Sequence, residues 1–182
     1  MNTRLGNSEW IDAALRALAA DGIDAVRVER LATTLKVTKG SFYWHFPDRD
    51  ALLDALLDTW KTDATAAIIA EVETRGGDAR AKLLHLITLV FNAHGSLDRQ
   101  IRAWAANDAR ARTALDQIDQ RRLNYLALLF GGAGFSPSQS RIRARFAYHA
   151  LIGRFTMGIT PQSPRSRKAE IQMIFQMLVA PS

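Results

Sequence analysis

The chain has 182 residues, of which 48% are hydrophobic and 23% charged; these values are typical of one or two globular domains and exclude disordered and fibrous proteins. The sequence contains no cysteine, which excludes disulfide frameworks, thiolate zinc sites and cysteine nucleophiles. Its net charge of +6 is uneven: residues 1–60 carry two more acidic than basic side chains, and residues 61–182 carry eight more basic than acidic ones. The total charge is therefore a poor guide to a nucleic-acid partner, and the local charge is more informative.

Apolar residues recur at helical spacing along nearly the whole chain, and no segment alternates convincingly with period two, which predicts an all-α protein. The first helix takes Asn7 or Ser8 as its N-cap and ends at Asp21-Gly22, because a glycine there can terminate a helix. A second helix carries an apolar face over residues 28–35.

A third, short helix of two full turns follows a three-residue turn at residues 36–38. Thr38 is expected to cap it, and Pro47 ends it after Phe46 because proline lacks the N–H that a helix interior requires. Three short helices with this turn between the second and the third have the arrangement of a helix-turn-helix. We therefore predict a helix-turn-helix domain over residues 1–50.

Residues 51–182 are predicted to form a second domain, also helical. A fourth helix starts at Asp48 and is expected to join the two domains before it ends at Gly76-Gly77. Five more helices, which make nine in all, begin near Asp78, Ser96, Ala109, Pro137 and Pro164. Ser136 and Ser163 each place a capping hydroxyl before the proline at the first helical position.

The third helix and its flanks concentrate side chains that suit a DNA duplex. Residues 27–49 carry three more basic than acidic side chains, and these surround an aromatic run. Phe42 and Phe46 are expected to point inward, which leaves donors and stacking groups on the outer faces. The predicted DNA-contacting residues are Arg27, Thr38, Lys39, Gly40, Ser41, Tyr43, Trp44, His45 and Arg49.

Two alternatives stand beside this interpretation. The third helix could belong to a surface hairpin whose aromatic side chains simply pack. Against this, Tyr43, Trp44 and His45 cannot all be buried beside Phe42 and Phe46 on so short a helix. An arginine in the first turn of a helix, such as Arg49, is often an ordinary solvated side chain.

The segment ERLATTLKVTKGSFYWHFPDRDALLDALL resembles the DNA-binding region of TetR-family transcriptional repressors. The resemblance covers residues 8 to about 60 and includes the Thr-Lys-Gly-Ser start of the third helix, Tyr43, Phe46 and the pair Leu52-Leu53. It implies an amino-terminal DNA-binding domain, a variable helical ligand-binding domain, and a homodimer made by the last two helices.

Two positions depart from the family pattern. Lys36 stands where the turn usually has glycine, and Arg27 replaces the usual serine or threonine before the second helix. Lys36 must adopt either a left-handed backbone, at a cost on the order of 1 kcal/mol, or a slightly different turn. Arg27 replaces a neutral cap with a potential phosphate contact.

The second domain contains aromatic and polar side chains that together could line an apolar pocket with a few polar anchors. Large aromatic residues also fill helical cores without any ligand, so each of these residues has a core or surface alternative. The predicted ligand-binding residues are Trp60, His85, Phe91, Trp104, Asn107, Asn124, Tyr125 and Tyr148.

The implied dimer would use small residues that allow close approach of the eighth helix and an apolar stripe on the ninth. The predicted dimer-interface residues are Ala147, Ala150, Gly153, Ile171, Ile174, Phe175 and Leu178.

The motifs of enzymes and metal sites are missing from the sequence. His85, His94 and His149 show no paired ligand spacing, and there is no nucleophile elbow or glycine-rich phosphate loop. The amino terminus lacks the apolar core of a signal peptide, and the longest apolar run, residues 83–91, is too short for a membrane span. We therefore expect a cytoplasmic protein that is not an enzyme and has no metal, other cofactor or membrane partner.

The function that these patterns favour is a ligand-responsive transcriptional repressor. As a homodimer it would bind palindromic double-stranded operator DNA, and an unknown small effector, apolar or aromatic, would release it. The alternatives are a helical small-molecule sensor whose DNA module has lost operator affinity, and an enzyme, for which no residue stands out as a catalytic acid or base.

Overall fold

A computed structural model describes residues 6–158 and 163–180, and within these ranges the chain forms helices and turns but no β-strand. The predicted all-α, two-domain architecture is confirmed. By internal packing the chain divides into two compact units: Met1–Asp63 with Ser96–Asp116, and Ala64–Gly95 with Gln117–Ser182. The boundary predicted after residue 50 separates the helix-turn-helix from the rest of the chain by function, whereas these two units are defined by packing. The predicted boundary therefore stays a prediction.

Ten α-helical segments follow one another along the described part of the chain. They are α1 (Asn7–Asp21), α2 (Val28–Leu35), α3 (Lys39–Phe42), α4 (Arg49–Lys61), α5 (Ile68–Arg75), α6 (Ala79–Asn92), α7 (Ser96–Ala105), α8 (Ala109–Gly132), α9 (Pro137–Met157) and α10 (Pro164–Val179). A π-helical stretch, Thr62–Ala67, joins α4 to α5 without a break. With residues 49–75 counted as one continuous helix, the described residues contain the nine predicted helices.

The start of α1 differs from the prediction. Its N-cap is Gly6, and neither Asn7 nor Ser8 holds that position. The carboxylate of Glu9 accepts a hydrogen bond from the Gly6 N–H at 2.8 Å, so a side chain from within the first turn satisfies the backbone donor at the cap. Caps at later helices agree with the prediction: Asp48, Asp78, Ser136 and Ser163 each accept a backbone N–H from the first turn.

Helix α3 is shorter than the two turns that we predicted. It ends at Phe42, and residues 43–45 form a turn. Pro47 has no N–H to donate to the carbonyl of Tyr43, and proline disfavours helical backbone at the residue before it. Thr38 is the N-cap residue, but its hydroxyl makes no capping hydrogen bond.

The turn between α2 and α3 takes the first of the two conformations considered for Lys36. This residue has φ 57° and ψ 40°, a left-handed backbone. The N–H of Val37 donates to the carbonyl of Ala32 at 2.9 Å and closes the turn. The left-handed residue therefore terminates α2, a role in which glycine is usual.

Aromatic packing holds α3 in the first unit. The Trp10 and Phe42 rings meet edge to face with centroids 5.2 Å apart, and Phe46 stacks on Phe42 at 5.6 Å. All three side chains are buried. A helix of four residues has no stability of its own, so this cluster fixes the position of α3 against α1. Helix α7 also packs on α1 and belongs to the same unit.

The second unit has a separate apolar core between α5, α6, α8, α9 and α10. Its buried members are Val72, Leu83, Leu86, Ile87, Phe91, Tyr125, Leu129, Phe130, Ala144, Leu151, Ile171, Leu178 and Val179. A Cβ added at Gly132 would lie 2.8 Å from the Cβ of Ala79, so the close approach of these two residues requires glycine at position 132. None of the described helices combines the length and the apolar character needed to cross a membrane.

Candidate nucleic-acid interface

The outer surface of α3 and the following turn carries the side chains that the sequence places outward. Thr38, Lys39 and Gly40 are exposed, and Tyr43 and Trp44 are 54% and 88% exposed. So accessible an aromatic ring is unusual on an ordinary protein surface, and it suits contact with a partner. Ser41 and His45 are half-buried at the edge of the same surface.

Lys39 is paired with an acidic residue of α2. Its ammonium donates to the carboxylate of Glu29, and both side chains remain more than half exposed. The hydrogen bond from Lys39 lowers the pKa of Glu29, and the same bond raises the pKa of Lys39. The cation that we predicted to meet phosphate therefore already has an anionic partner in the free protein, and sequence spacing alone did not indicate this.

The two arginines predicted to flank the groove have different surroundings. Arg27 is exposed, and its Nε donates to the carbonyl of Asp24 at 2.8 Å. Arg49 is half-buried, and its Nε and Nη2 donate to the carbonyls of Val26 and Ile23 at 2.6 and 3.1 Å. Arg49 thus ties the first turn of α4 to the segment before α2, a structural role that requires no DNA.

His45 contacts the first residue of α1. Its Nδ1 lies 2.9 Å from the Oδ1 of Asn7, across 38 residues of sequence. Asn7 was expected as a helix cap and not as a partner of the turn after α3, since no spacing rule connects residues this far apart.

The predicted ligand-binding residues are distributed between the two units. Trp60, Trp104 and Asn107 belong to the first unit, and the other five belong to the second. The tryptophans, Phe91, Tyr125 and Tyr148 are buried, His85 is half-buried, and both asparagines are exposed. Their role in binding a ligand stays a prediction.

A chain of polar groups crosses the second unit beside Tyr148. Arg122 donates to the hydroxyl of buried Thr65 at 3.1 Å and to the Tyr148 hydroxyl at 3.3 Å, and Tyr148 donates to Asp119 at 2.6 Å. Thr65 lies in the π-helical stretch and is buried. Thr65 and Arg122 were not among the predicted residues, since neither is distinctive in type or spacing.

Tyr125 is held by a separate polar contact, with Glu73 of α5. Its hydroxyl donates to Glu73 at 2.8 Å, and Lys82 donates to the same carboxylate. Burial, followed by the Glu73 bond, raises the pKa of Tyr125 far above its ordinary value. Tyr125 is therefore a neutral hydrogen-bond donor throughout the physiological pH range.

The residues predicted for the dimer interface do not share one surface. Ile171 and Leu178 are buried in the core of their own subunit, and Ile174, Phe175 and Ala147 pack against that core. Ala150 is exposed, and a Cβ added at Gly153 would meet no atom within 4 Å. The exposed apolar side chains of the last two helices, which we missed although they follow helical spacing, are Ile142, Phe146, Met157, Met173 and Met177.

Within the described ranges, no three histidine or acidic side chains come together in a way that could hold a metal ion.

Comparison with known sequences places the amino-terminal region in a family. The family model for bacterial regulatory proteins of the tetR family matches residues 11–56. The HTH-type transcriptional regulator YuxN of Bacillus subtilis is 31% identical over 81 residues, which are 44% of this chain and 28% of that protein. The class D tetracycline repressor protein of Escherichia coli is 43% identical over 53 residues, 29% of this chain and 24% of that protein. The match thus spans about a quarter of each of these relatives.

Comparison with solved structures extends the similarity in fold to nearly the whole chain. A TetR transcriptional regulator from Legionella pneumophila aligns with a TM-score of 0.74 at 16% identity, covering 97% of this chain and 99% of that one. A protein from Saccharomonospora viridis in complex with choline gives a TM-score of 0.79 at 20% identity and covers 96% and 95%. FadR of Bacillus subtilis in complex with stearoyl-CoA gives 0.69 at 16% identity and covers 95% and 97%.

At such identities the structural likeness shows the fold alone, and the family assignment rests on the amino-terminal match. That match includes α2, α3 and the turn between them, and the helical fold that carries them is shared along the rest of the chain. The amino-terminal region, residues 11–56, is thus similar in sequence to the tetR family of bacterial regulatory proteins, and the chain as a whole shares the fold of the solved structures named above.

Proposed function

We propose that this protein is a ligand-responsive transcriptional repressor that binds palindromic operator DNA as a homodimer. The observation that carries the proposal is the exposed surface of α3 and the turn after it, where Lys39, Tyr43 and Trp44 stand outward from a buried aromatic cluster. This surface lies in the segment that matches the TetR family. A rigid element that presents a cation, a hydroxyl and an aromatic ring suits the major groove and its phosphate walls.

The operator should be a pseudo-palindrome, because a two-fold dimer presents two equivalent α3 surfaces. Its half-sites are expected about 34 to 36 Å apart, or a multiple of that distance. If the dimer contacts six to ten phosphates, operator affinity should fall roughly 10³- to 10⁵-fold between 50 and 200 mM salt. The measurement is a gel shift or fluorescence anisotropy titration with the intergenic DNA beside the gene.

Equal affinity for a scrambled site, or a flat salt response, contradicts the proposal. A protein that binds small molecules but no DNA under any condition would instead be the sensor that has lost its operator.

The roles of the interface residues can be distinguished by whether a substitution changes binding to every DNA sequence or only to particular sequences. Lys39→Ala and Tyr43→Phe should weaken binding to all sequences alike, because phosphate contacts carry no sequence information. Ser41→Ala should instead change the preference at particular base pairs. The opposite pattern would exchange the proposed roles of these residues.

For the dimer, the exposed apolar side chains on α9 and α10 support an interface on their outer faces. Ile142, Phe146 and Gly153 follow one another on α9 at helical spacing, and Met173 and Met177 do so on α10. Large apolar side chains exposed together mark an interaction surface. A two-fold axis at this surface would pair α9 and α10 with their symmetry mates in a self-complementary bundle.

For the effector, we propose a mostly apolar or aromatic molecule bound in the carboxy-terminal domain. The neighbours in fold that contain stearoyl-CoA and choline support ligand binding by this fold, and they differ in ligand chemistry. In this chain, buried Phe91 and Tyr148 together with the Thr65 and Arg122 hydroxyl and guanidinium groups offer apolar surface with few polar anchors.

The effector is tested by a thermal-shift screen of apolar and anionic compounds, followed by operator binding with each hit. A coupling of about 1 to 3 kcal/mol would weaken operator affinity roughly 5- to 150-fold, and operator DNA must weaken effector binding by the same factor. Tryptophan fluorescence gives a second measure of effector binding. The variants Trp60→Phe and Trp104→Phe show which tryptophan reports it, because phenylalanine removes the indole without leaving a large cavity. If only anionic metabolites bind, or if the hits leave operator affinity unchanged, the proposed effector is wrong.

A further inference from the structure

The contact between His45 and Asn7 determines which ring nitrogen carries the proton when the ring is neutral. The Nδ1 of His45 lies 2.9 Å from the Oδ1 of Asn7. An amide oxygen only accepts hydrogen bonds, so Nδ1 must carry the proton that it donates. The other ring nitrogen, Nε2, is then a bare acceptor when the imidazole is neutral and becomes a donor only when the ring takes up a second proton.

This arrangement limits what His45 can bind. A phosphate oxygen is an acceptor and cannot pair with the lone pair of a neutral Nε2. It can pair with the imidazolium form, which donates from both nitrogens and adds a positive charge. We propose that Asn7 is a positioning residue that holds His45 as a doubly donating imidazolium in the operator complex, so that DNA binding takes up a proton at each His45.

The proposal rests on the proposed operator binding and concerns a residue of α1 outside the recognition segment.

The charged groups around the ring are compatible with a cation at this position. On α1, the carboxylate of Glu9 accepts bonds from the Gly6 N–H and the Ser8 hydroxyl, and these hydrogen bonds, with a smaller contribution from the charge of His45, lower the pKa of Glu9. On α3, Lys39 is paired with Glu29 of α2.

On α4, the cap carboxylate and the first arginine have other partners. Asp48 accepts the Ala51 N–H at 2.8 Å, and the Arg49 guanidinium points to the carbonyls of Val26 and Ile23. The two cations named here, Lys39 and Arg49, are thus bonded to other partners and are not directed at the His45 ring.

The sign of the pH dependence follows directly. Because the operator complex holds a proton at each His45 that the neutral ring lacks, operator affinity rises as the pH falls. Uptake of one proton per subunit allows at most about 100-fold per pH unit for the dimer.

The experiment measures operator affinity from pH 6 to pH 8 for the full-length protein and four variants. Wild type and the control Thr113→Ala, an exposed threonine of the same unit, should show the full pH dependence. His45→Gln should bind with a nearly flat profile, and Asn7→Ala should bind several-fold more weakly at pH 6 with a reduced slope. Asn7→Asp keeps an acceptor for Nδ1 and should retain the slope.

A second readout reports the ring itself. In ¹⁵N spectra of the histidine side chains, assigned by loss of one signal set in His45→Gln, the neutral ring of wild type should be the Nδ1–H form. In Asn7→Ala it should shift toward the Nε2–H form that free imidazole side chains prefer. A folding defect would not produce this specific change, because it would move the signals of all four histidines.

Operator binding that is independent of pH in the wild type overturns the inference and leaves the proposed function intact. So does an Asn7→Ala variant with unchanged affinity, slope and tautomer. Absence of operator binding at every pH contradicts the proposed function and the inference together.

Discussion

Lys36 is the one non-glycine residue with a left-handed backbone among the described residues, at φ 57°. Its Cβ is crowded by the following carbonyl in this conformation, at a cost of roughly 1–2 kcal/mol. The side chain is exposed, so packing gives little in return.

We expect Lys36→Gly to raise the free energy of unfolding by about 1 kcal/mol, because glycine adopts the left-handed region without this crowding, although its freer unfolded chain offsets part of the gain. Urea unfolding followed by circular dichroism measures the change. Lys36→Ala is the matched control, since it removes the charge and keeps the Cβ, and it should not be stabilising. An equal gain from both variants would attribute the effect to charge.

Glu29 restrains the cation that is proposed to meet phosphate. Its carboxylate holds Lys39 in the free protein and adds a negative charge next to the DNA surface. An exposed ion pair of this kind is worth about 0.2–1 kcal/mol, which corresponds to about 1.4- to 5-fold in a binding constant.

Glu29→Gln should therefore raise operator affinity by up to about 5-fold at each half-site, because Lys39 no longer has to exchange partners. Anisotropy titrations at several salt concentrations measure it. The double variant with Lys39→Ala should lose most of the gain, and a decrease in affinity for the single variant would show that Glu29 positions Lys39 for binding.

At the scale of elements, α8 begins at a cap that also connects it to α4. The Asp108 carboxylate accepts the N–H groups of Arg110 and Ala111 at 2.9 and 3.1 Å. The Arg110 guanidinium in turn lies 3.2 Å from the carboxylate of Asp50 and 3.3 Å from that of Asp54. The amino end of α8 is thus held on α4 within the first unit.

Asp108→Ala is expected to cost about 0.5–2 kcal/mol of unfolding free energy, as for other helix N-caps. Burial raises the pKa of Asp108, but backbone and side-chain hydrogen bonds and the Arg110 charge outweigh it, so the net shift is downward. A lowered carboxyl pKa stabilises the fold above the ordinary aspartate value near 4, and this contribution disappears as the pH falls through the lowered value.

The difference between wild type and Asp108→Ala should therefore be constant at neutral pH and shrink in acid, as measured by urea unfolding from pH 3 to pH 7. Asp108→Asn keeps the capping oxygen and should retain most of the stability at pH 7. A loss in Asp108→Asn as large as that in Asp108→Ala would show that charge, and not the cap, dominates.

At the scale of the whole molecule, the outer face of α9 is the surface proposed for dimer assembly. Phe146 is 64% exposed, and a side chain added at Gly153 would enter open space within its own subunit. A charge placed there is tolerated by the monomer but meets its symmetry mate at a two-fold interface.

Gly153→Glu should convert the dimer to a monomer and abolish tight operator binding, while circular dichroism and the unfolding transition of the subunit stay close to wild type. Light scattering measures the mass. Gln117→Glu adds the same charge at an exposed position of α8 and should remain dimeric. If Gly153→Glu is still a dimer, the interface lies on another surface.

Sequence determined the features that depend on neighbours within a few residues. The helical period, the caps at Asp48, Asp78, Ser136 and Ser163, and the inward orientation of Phe42 and Phe46 all follow from local spacing and from short-range hydrogen bonds. The same local pattern was enough to indicate the helix-turn-helix and the resemblance to the family. For Lys36 the sequence left two turn conformations open, and the structure shows the left-handed one.

Local sequence patterns predicted the structure less well where packing between helices determines helix length and burial. Helix α3 is a single turn and not two, because the backbone turns at residues 43–45 before Pro47, and aromatic contacts with Trp10 hold this single turn in place. On α10, Ile171 and Leu178 form an apolar stripe that sequence cannot assign to the subunit core or to a partner, and the structure places them in the core. The periodicity of a helix shows that it has an apolar face and does not show what covers that face.

Only the tertiary structure decided which side chains meet across long stretches of sequence. The contacts of His45 with Asn7, Lys39 with Glu29, Arg110 with Asp50, and Arg122 with Thr65 join residues 10 to 60 positions apart. Each pair depends on how two helices cross, which is set by the summed packing of many apolar side chains and by no motif within either helix. The residue types that suit a DNA partner were therefore readable from the sequence, whereas the contacts that orient them were determined by the fold.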